Sequence, residues 1–132
     1  MCAIFGTKNK EQYDSLYELN HKRGGFAYSV VFRNKNGNFM TTKGRGYIKP
    51  LVNAKYILAH DQAPTSSVRL YDYKTSHPFV SGHWMVAHNG VLTNHKSLLK
   101  NHTCDVDSSY IPALLDEENN GEISAIENVC SS

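Results

Sequence analysis

The sequence is poor in cysteine and has no long apolar run. Its 132 residues include three cysteines, at positions 2, 104 and 130, which are odd in number and far apart. This spacing excludes a compact disulfide framework of the kind found in small secreted proteins. Apolar runs such as Ile57-Leu58-Ala59 are much too short to cross a bilayer. We therefore expect a protein without membrane association.

A secretory signal is also missing from the start of the sequence. The apolar segment at residues 2–6 is short, has no basic residue before it and is followed by Lys8, Lys10 and Glu11, whereas a signal peptide needs a longer apolar segment after a basic start. We expect a cytoplasmic protein whose thiols are reduced.

Composition and charge restrict the class of protein only loosely. The length fits a single domain over residues 1–132, and 11% aromatic residues argue against a disordered chain. The net charge of +2 favours no particular partner. All fourteen basic residues precede position 105, together with five acidic ones, which leaves +9 there, whereas the last 28 residues carry −7. No helix concentrates the lysines and no phosphate-binding loop is present, so we expect neither nucleic-acid binding nor ATP use.

Local patterns predict mixed α and β structure with antiparallel pairing, the α+β class. Alternating residues and the Asn36-Gly37 turn predict a hairpin, and helical spacing places Tyr13, Leu16 and Tyr17 on one apolar face. The predicted strands cover residues 2–6, 26–33, 38–43, 57–60 and 84–88. The predicted helices cover 9–23, a turn at 50–56, a segment from a Thr93 cap through Leu99, 108–116 and 122–129, with a loop at 61–77.

Cys2 is the first candidate for chemistry. Methionine is usually removed before a small second residue, and removal would leave Cys2 with a thiol and a free α-amino group. The α-amine has a pKa of about 7.7–8.0 and can take up the thiol proton, so one residue would supply both nucleophile and base. The alternative is that a cysteine at this position is incidental.

The second candidate is His88-Asn89-Gly90, at the end of the strand predicted at 84–88. The carboxamide of Asn89 and the N–H of Gly90 can point into one small space and stabilise an oxyanion. The alternative is a plain turn, since Asn-Gly is a common turn dipeptide. The histidines show no zinc-ligand spacing, so we expect no metal and no cofactor.

Several short blocks resemble class II glutamine amidotransferases. The blocks are Met-Cys-Ala-Ile-Phe-Gly at 1–6, Arg23-Gly24, His60-Asp-Gln-Ala-Pro-Thr65, the segment 76–95 with His-Pro, His-Asn-Gly and Asn-His, and Asp107-Ser-Ser-Tyr-Ile111. The segment 76–95 is similar to the glutaminase domain of glutamine–fructose-6-phosphate amidotransferase. The size of the chain is similar to that of short amidotransferase-like proteins of tailed phages, and the cytoplasm would then be that of the host. The resemblance implies an N-terminal-nucleophile hydrolase with an αββα sandwich, either minimal or truncated at its C-terminus.

The resemblance also implies roles for individual residues. Cys2 would attack the side-chain amide of L-glutamine, and Asn89 and Gly90 would hold the oxyanion while ammonia leaves for an acceptor on a separate synthase. Asp107 would pair with the α-ammonium group of the substrate. Thr65 would bind the α-carboxylate end, and Arg69 is a further candidate for that end.

One departure weakens this assignment. Gln62 stands where the family has an arginine that clamps the substrate carboxylate, and glutamine supplies no charge. The expected function is a glutaminase or amidotransferase domain. The alternative is a catalytically impaired relative that serves as a binding or regulatory protein.

Overall fold

The structure, a computed structural model, describes residues 2–63, 76–104, 106–118 and 121–131. The chain divides into two compact units, Met1–Pro78 and Phe79–Ser132. Secondary structure is mixed α and β, and both sheets are antiparallel, as the sequence predicts. Within the described ranges no helix is long and apolar enough to cross a membrane.

The first unit contains a four-stranded antiparallel sheet. The strands are β1 (Ala3–Thr7), β2 (Ala27–Arg33), β3 (Phe39–Arg45) and β4 (Lys55–Gln62), in the order β1-β4-β2-β3. Helix α1 (Lys10–Asn20) follows β1 and continues into a 3₁₀ turn, His21–Arg23. β4 lies between β1 and β2, so the last strand of the unit is central, and the first and third strands form the edges.

Helix α1 covers one face of this sheet. The side chain of Asn9 caps the helix by accepting the Gln12 N–H at 2.9 Å. Tyr13 is buried in the core, and Leu16 and Tyr17 pack against the core from the same helix face, which confirms the predicted apolar face. The core residues on the sheet are Ala3, Phe5, Tyr28, Val30, Ile57 and Ala59.

The predicted hairpin is present between β2 and β3. The side chain of Asn34 accepts the N–H groups of Asn36 and Asn38 at 2.9 and 3.0 Å. Gly37 has a φ of 85°, a conformation that glycine adopts without strain. The turn therefore fixes the register of the two strands, with Val30 opposite Thr42.

The second unit is a two-stranded sheet with helices. Strands β5 (Phe79–Ser81) and β6 (Trp84–Val86) pair antiparallel, and α2 (His95–Leu98) and a 3₁₀ turn (Asp107–Ser109) follow. Helix α3 (Tyr110–Glu117) packs on both strands, and α4 (Glu122–Ser131) packs on α3. The hydroxyl of Ser81 donates to Asp116 at 3.0 Å and links β5 to α3.

Three local predictions are wrong. Residues 50–56 form no helical turn, because Asn53 and Tyr56 have positive φ and β4 already begins at Lys55. Thr93 is not the cap of α2, which begins at His95 after Asn94 and has no side-chain cap. The strand predicted at 84–88 ends at Val86, and its partner β5 was not predicted. Such short segments carry too few residues for a periodic signal.

Candidate functional site

Cys2 lies where the sheet of the first unit begins and β4 ends. Ala3 pairs with Asp61, so the residue before β1 lies opposite the end of β4. Cys2 is 9% exposed, and its Sγ is 3.8 Å from the carbonyl oxygen of Ala63. The structure therefore brings together two of the predicted site residues, Cys2 and Gln62. None of the three cysteines takes part in a disulfide.

The face of the sheet that lies away from α1 contains a buried polar row. Ser29 pairs with His60 across β2 and β4, and with Lys43 across β2 and β3. Ser29 is 0% and His60 is 1% exposed. Among the described residues, neither the Ser29 hydroxyl nor either ring nitrogen of His60 has a hydrogen-bond partner. Buried polar atoms without a hydrogen bond are uncommon in folded proteins, so this row is an unusual feature of the sheet.

The electrostatics of this row favour an uncharged imidazole. Burial, followed by the nearby Lys43 ammonium, lowers the pKa of His60 from 6.5 to about 4. The ring of His60 lies 4.4 Å from the ring of His77. A neutral histidine offers one donor and one acceptor, and the adjacent serine hydroxyl can act as either.

Lys43 holds a short segment over the same face. Its Nζ donates to the carbonyl oxygens of Ser76 and Pro78 at 2.5 and 3.1 Å. Ser76 is 1% exposed and Pro78 is fully buried. Because the ammonium binds two backbone carbonyls, the segment 76–78 is anchored directly to β3.

Asp61, the neighbour of His60 on β4, faces the opposite side of the sheet, towards α1. It is fully buried, and neither carboxylate oxygen has a hydrogen-bond partner among the described residues. Desolvation raises its pKa from 3.8 to about 6, against a smaller opposing effect of His21. Burial, with Asp61 as the next contribution, also raises the pKa of the Tyr13 phenol. The folded state therefore holds the proton of Asp61 more tightly than the unfolded chain does.

Within the second unit, the residues that flank Asn89-Gly90 contact Asp107 and Ser108. Oδ2 of Asp107 accepts the backbone N–H of Leu92 at 2.6 Å. Nδ1 of His88 and the hydroxyl of the next residue, Ser108, form a hydrogen bond of 2.9 Å. Residues on both sides of Asn89-Gly90 are thus tied to the 3₁₀ turn at 107–109. One oxygen of Asp107 serves this internal contact, which the sequence analysis did not foresee.

Two predicted residues, Thr65 and Arg69, lie outside the described residues. Ser29 and Ser108 were missed, and His60 was interpreted only as part of a short sequence block and as one of several histidines. The sequence contains a signal for Ser29 and for His60, because each is a polar residue between apolar neighbours in a strand. It was not conclusive, because only strand pairing places the two side chains side by side.

No family model matches the chain. Its curated relatives include 7-cyano-7-deazaguanine synthase 2 of Sulfurisphaera tokodaii, 28% identical over 155 aligned positions that cover 98% of this chain and 33% of the relative. The 7-cyano-7-deazaguanine synthase of Sulfolobus acidocaldarius is 28% identical and is covered to 34% by the whole of this chain. That of Saccharolobus solfataricus is 25% identical, with 98% of this chain and 33% of the relative aligned. The chain spans about a third of the length of these relatives.

These comparisons contradict the assignment made from short sequence blocks. The relatives are named 7-cyano-7-deazaguanine synthases, not class II glutamine amidotransferases. The assignment to a glutaminase that acts on L-glutamine and passes ammonia to a separate acceptor was therefore wrong. The alternative, a catalytically impaired amidotransferase relative that serves as a binding or regulatory protein, fits these names no better. The blocks are separate segments, of which the longest is 76–95, whereas the similarity to the synthases extends over almost the whole chain.

Proposed function

We propose that this chain takes part in making 7-cyano-7-deazaguanine, as the counterpart of about one third of a 7-cyano-7-deazaguanine synthase. The observation that carries the proposal is the extent of the similarity, 98–100% of the chain in three relatives that share this name. The similarity is the sole basis for assigning a part in the synthase activity to this chain.

Within this function, Cys2 is the proposed nucleophile. Its thiolate would attack an electrophilic carbonyl carbon, so that a carbon–sulfur bond forms, the bond to the leaving group breaks, and the thiol proton passes to the leaving group. The α-amine of Cys2 would act as base once Met1 is removed. The low exposure of Cys2, 9%, supports a reaction in a site that largely excludes water.

The other site residues from the sequence are proposed to act as follows. Asn89 and Gly90 would donate to an oxyanion, Asp107 would face a cationic group, and Gln62, Thr65 and Arg69 would bind substrate. The αββα sandwich, residues 1–132 as a single domain and the cytoplasmic location are proposed on the same footing. The antiparallel sheets support the first, and the absence of disulfides among the three cysteines supports the last.

The function is tested by complementation. The synthase of Sulfolobus acidocaldarius is produced without the third that aligns with this chain, the purified chain is added, and 7-cyano-7-deazaguanine is measured by mass spectrometry. We expect product only when both proteins are present. Absence of product from a mixture of two folded proteins overturns the proposal.

Two matched cysteine variants test the proposed nucleophile separately. Cys2→Ala is expected to abolish product, whereas Cys130→Ala, which changes an exposed thiol on α4, is expected to leave it unchanged. Full product formation by Cys2→Ala would remove the role of Cys2 and leave the assignment to this synthesis in place.

A further inference from the structure

A small cavity lies between α1 and the segment 46–54, which connects β3 to β4 within the first unit. This connecting segment runs along the helix. Tyr47 contacts the His21 ring just after the end of α1, and the N–H of Tyr56, which follows the segment, donates to the carbonyl oxygen of Lys8 just before the start of α1. The cavity has a volume of about 180 Å³. Its apolar and aromatic lining residues are Tyr13, Tyr17, Ile48 and Pro50.

A row of aromatic rings leads from the core to this cavity. The ring centres of Phe5 and Tyr13 are 5.7 Å apart, those of Tyr13 and Tyr17 are 6.3 Å apart, and those of Tyr17 and His21 are 5.1 Å apart. Tyr47 ends the row at the surface, 5.7 Å from His21 and 54% exposed. Because Phe5 and Tyr13 belong to the hydrophobic core, close packing holds this wall of the cavity in place before any ligand binds.

The size and the charges of the cavity fit one apolar side chain. Sites for small molecules and cofactors usually measure about 300–1,000 Å³, so this cavity is small for such a ligand. The charged lining residues Asp14, Glu18 and Lys49 are exposed and carry both signs, and Asp14 pairs with Lys10 at 2.6 Å. These charges stay hydrated at the edge while an apolar group enters between them. An apolar centre with a charged rim is typical of a protein interface.

Exposed apolar residues stand on both sides of the cavity-lining residues 48–50 in the chain. Tyr47 comes directly before them, and Val52 and Tyr56 follow, 74% and 50% exposed. Single exposed apolar side chains are ordinary, whereas several beside a preformed pocket mark an interaction surface. Tyrosine is also one of the residues that most often contribute binding energy at protein interfaces.

The comparisons indicate which protein meets this surface. In each of the three relatives, about two thirds of the polypeptide lies outside the part that aligns with this chain. The synthesis proposed above needs that remaining part as well, so this chain has to contact it. Contacts between parts of one polypeptide resemble transient protein interfaces, which are more polar than a core. An apolar pocket with a charged rim fits a contact of this kind.

We propose that the cavity between α1 and residues 48–50 receives an apolar side chain of the polypeptide that corresponds to the remaining two thirds of the synthases. The proposal rests on the proposed function and adds the surface through which the two parts meet. The entering side chain packs on the rings of Tyr13 and Tyr17, and the exposed side chains of Tyr47 and Val52 widen the contact around it.

The surface is tested by isothermal titration calorimetry of this chain with the folded synthase of Sulfolobus acidocaldarius produced without its aligned third. Pro50→Asp places a charge on an exposed wall of the cavity, and Tyr47→Ser removes an exposed ring beside it. Each is expected to weaken binding by about tenfold or more, as at an interface hot spot. Leu19→Ser is the matched control, since Leu19 lies on α1 and is 77% exposed but does not line the cavity. It is expected to leave the affinity unchanged.

Several results would overturn the proposal. They are absence of binding by the unchanged chain, and binding that Pro50→Asp leaves intact. If Ile123→Ser, which alters a 76% exposed residue of α4, weakens binding and Pro50→Asp does not, the contact lies on α4 instead. If circular dichroism shows that Tyr47→Ser is unfolded, Pro50→Asp decides, because it changes an exposed residue.

The chain alone provides a further check. Sedimentation equilibrium that shows a dimer, dissociated by Pro50→Asp, would assign the cavity to a second copy of this chain and overturn the proposal. We expect a monomer at the concentrations used for calorimetry. The calorimetric readout is binding and does not depend on product, so failure of the synthase assay and failure of the docking surface are separate results.

Discussion

His60 and Asp61 are consecutive residues of β4 that are almost completely buried on opposite faces of the same sheet. Neither side chain has a hydrogen-bond partner among the described residues. Burial shifts the two pKa values in opposite directions, to about 4 for His60 and about 6 for Asp61. Both shifts favour the uncharged form, and the two residues therefore make opposite contributions to the pH dependence of stability.

Asp61→Asn is expected to stabilise the protein at neutral and alkaline pH. The pKa of Asp61 is raised on folding, so the folded state holds the proton more tightly, and stability falls as pH rises from about 4 to about 6. Above pH 6 the charged group destabilises the folded state by up to about 2–3 kcal/mol. Urea unfolding between pH 4 and 8 measures the gain. Asp116→Asn, on the exposed end of α3, is the control and should give none.

His60→Gln is expected to change the pH dependence in the other direction. The pKa of His60 is lowered on folding, so the unfolded state takes up the proton first, and stability is lost as pH falls from 6.5 towards 4. Between pH 4 and 6 the contributions of His60 and Asp61 to the pH dependence of stability partly cancel in the unchanged protein. The free energy of unfolding should therefore rise with pH in Asp61→Asn and fall with pH in His60→Gln. Equal slopes in both variants would contradict the assignment of these shifts.

Gly24→Ala is expected to destabilise the protein more than Gly90→Ala does. A Cβ on Gly24 would lie 2.6 Å from Cβ and 2.9 Å from the carbonyl carbon of Asp61, so the backbone of β4 would have to move. A Cβ on Gly90 would lie 2.8 Å from Nε2 of the His88 ring, a side-chain atom that has more freedom to shift. Overpacking of this kind typically lowers stability by about 1–3 kcal/mol. Thermal unfolding of the two variants shows which one is less stable. A less stable Gly90→Ala would contradict the prediction, because it would mean that the backbone of β4 shifts more easily than the His88 ring.

Asp107→Ala is expected to loosen the segment that contains Asn89 and Gly90. The hydrogen bond from the Leu92 N–H to the Asp107 carboxylate would be lost, and such bonds to charged groups contribute about 1.5–3 kcal/mol. Amide hydrogen exchange at Leu92 should become about 10 to 100 times faster. Asp116→Ala, which removes the partner of Ser81, is the comparison and should leave exchange at Leu92 unchanged. Unaltered exchange in Asp107→Ala would mean that other contacts hold the segment.

The longer elements of the fold could be predicted from the sequence because their signals are local. Asn9 caps α1, the apolar spacing sets its buried face, and Asn36-Gly37 closes the hairpin. The short elements were less predictable. The only signals in residues 50–56 and 93–99 were a proline and a threonine. In the structure β4 already begins at Lys55, and α2 begins at His95.

The candidate site was predictable only in part. Cys2 was singled out from its chemistry, which stays a prediction, and the structure places it at the start of β1 beside the end of β4. The roles of Ser29 and Ser108 were not foreseen, because each depends on a partner 20 or more residues away in the chain. The enzyme class inferred from short blocks was overturned by similarity over nearly the whole chain, since a few matching residues carry far less information than an alignment of that length.

Local residue patterns specify where the main strands and helices form and which of their residues are apolar, because both depend on neighbours within a few positions along the chain. The position of β4 between β1 and β2 follows from long-range strand pairing. That order buries His60 beside Ser29 on one face and Asp61 beneath α1 on the other. Burial and unsatisfied hydrogen bonds arise from strand pairing between distant segments, and local sequence patterns do not specify that pairing.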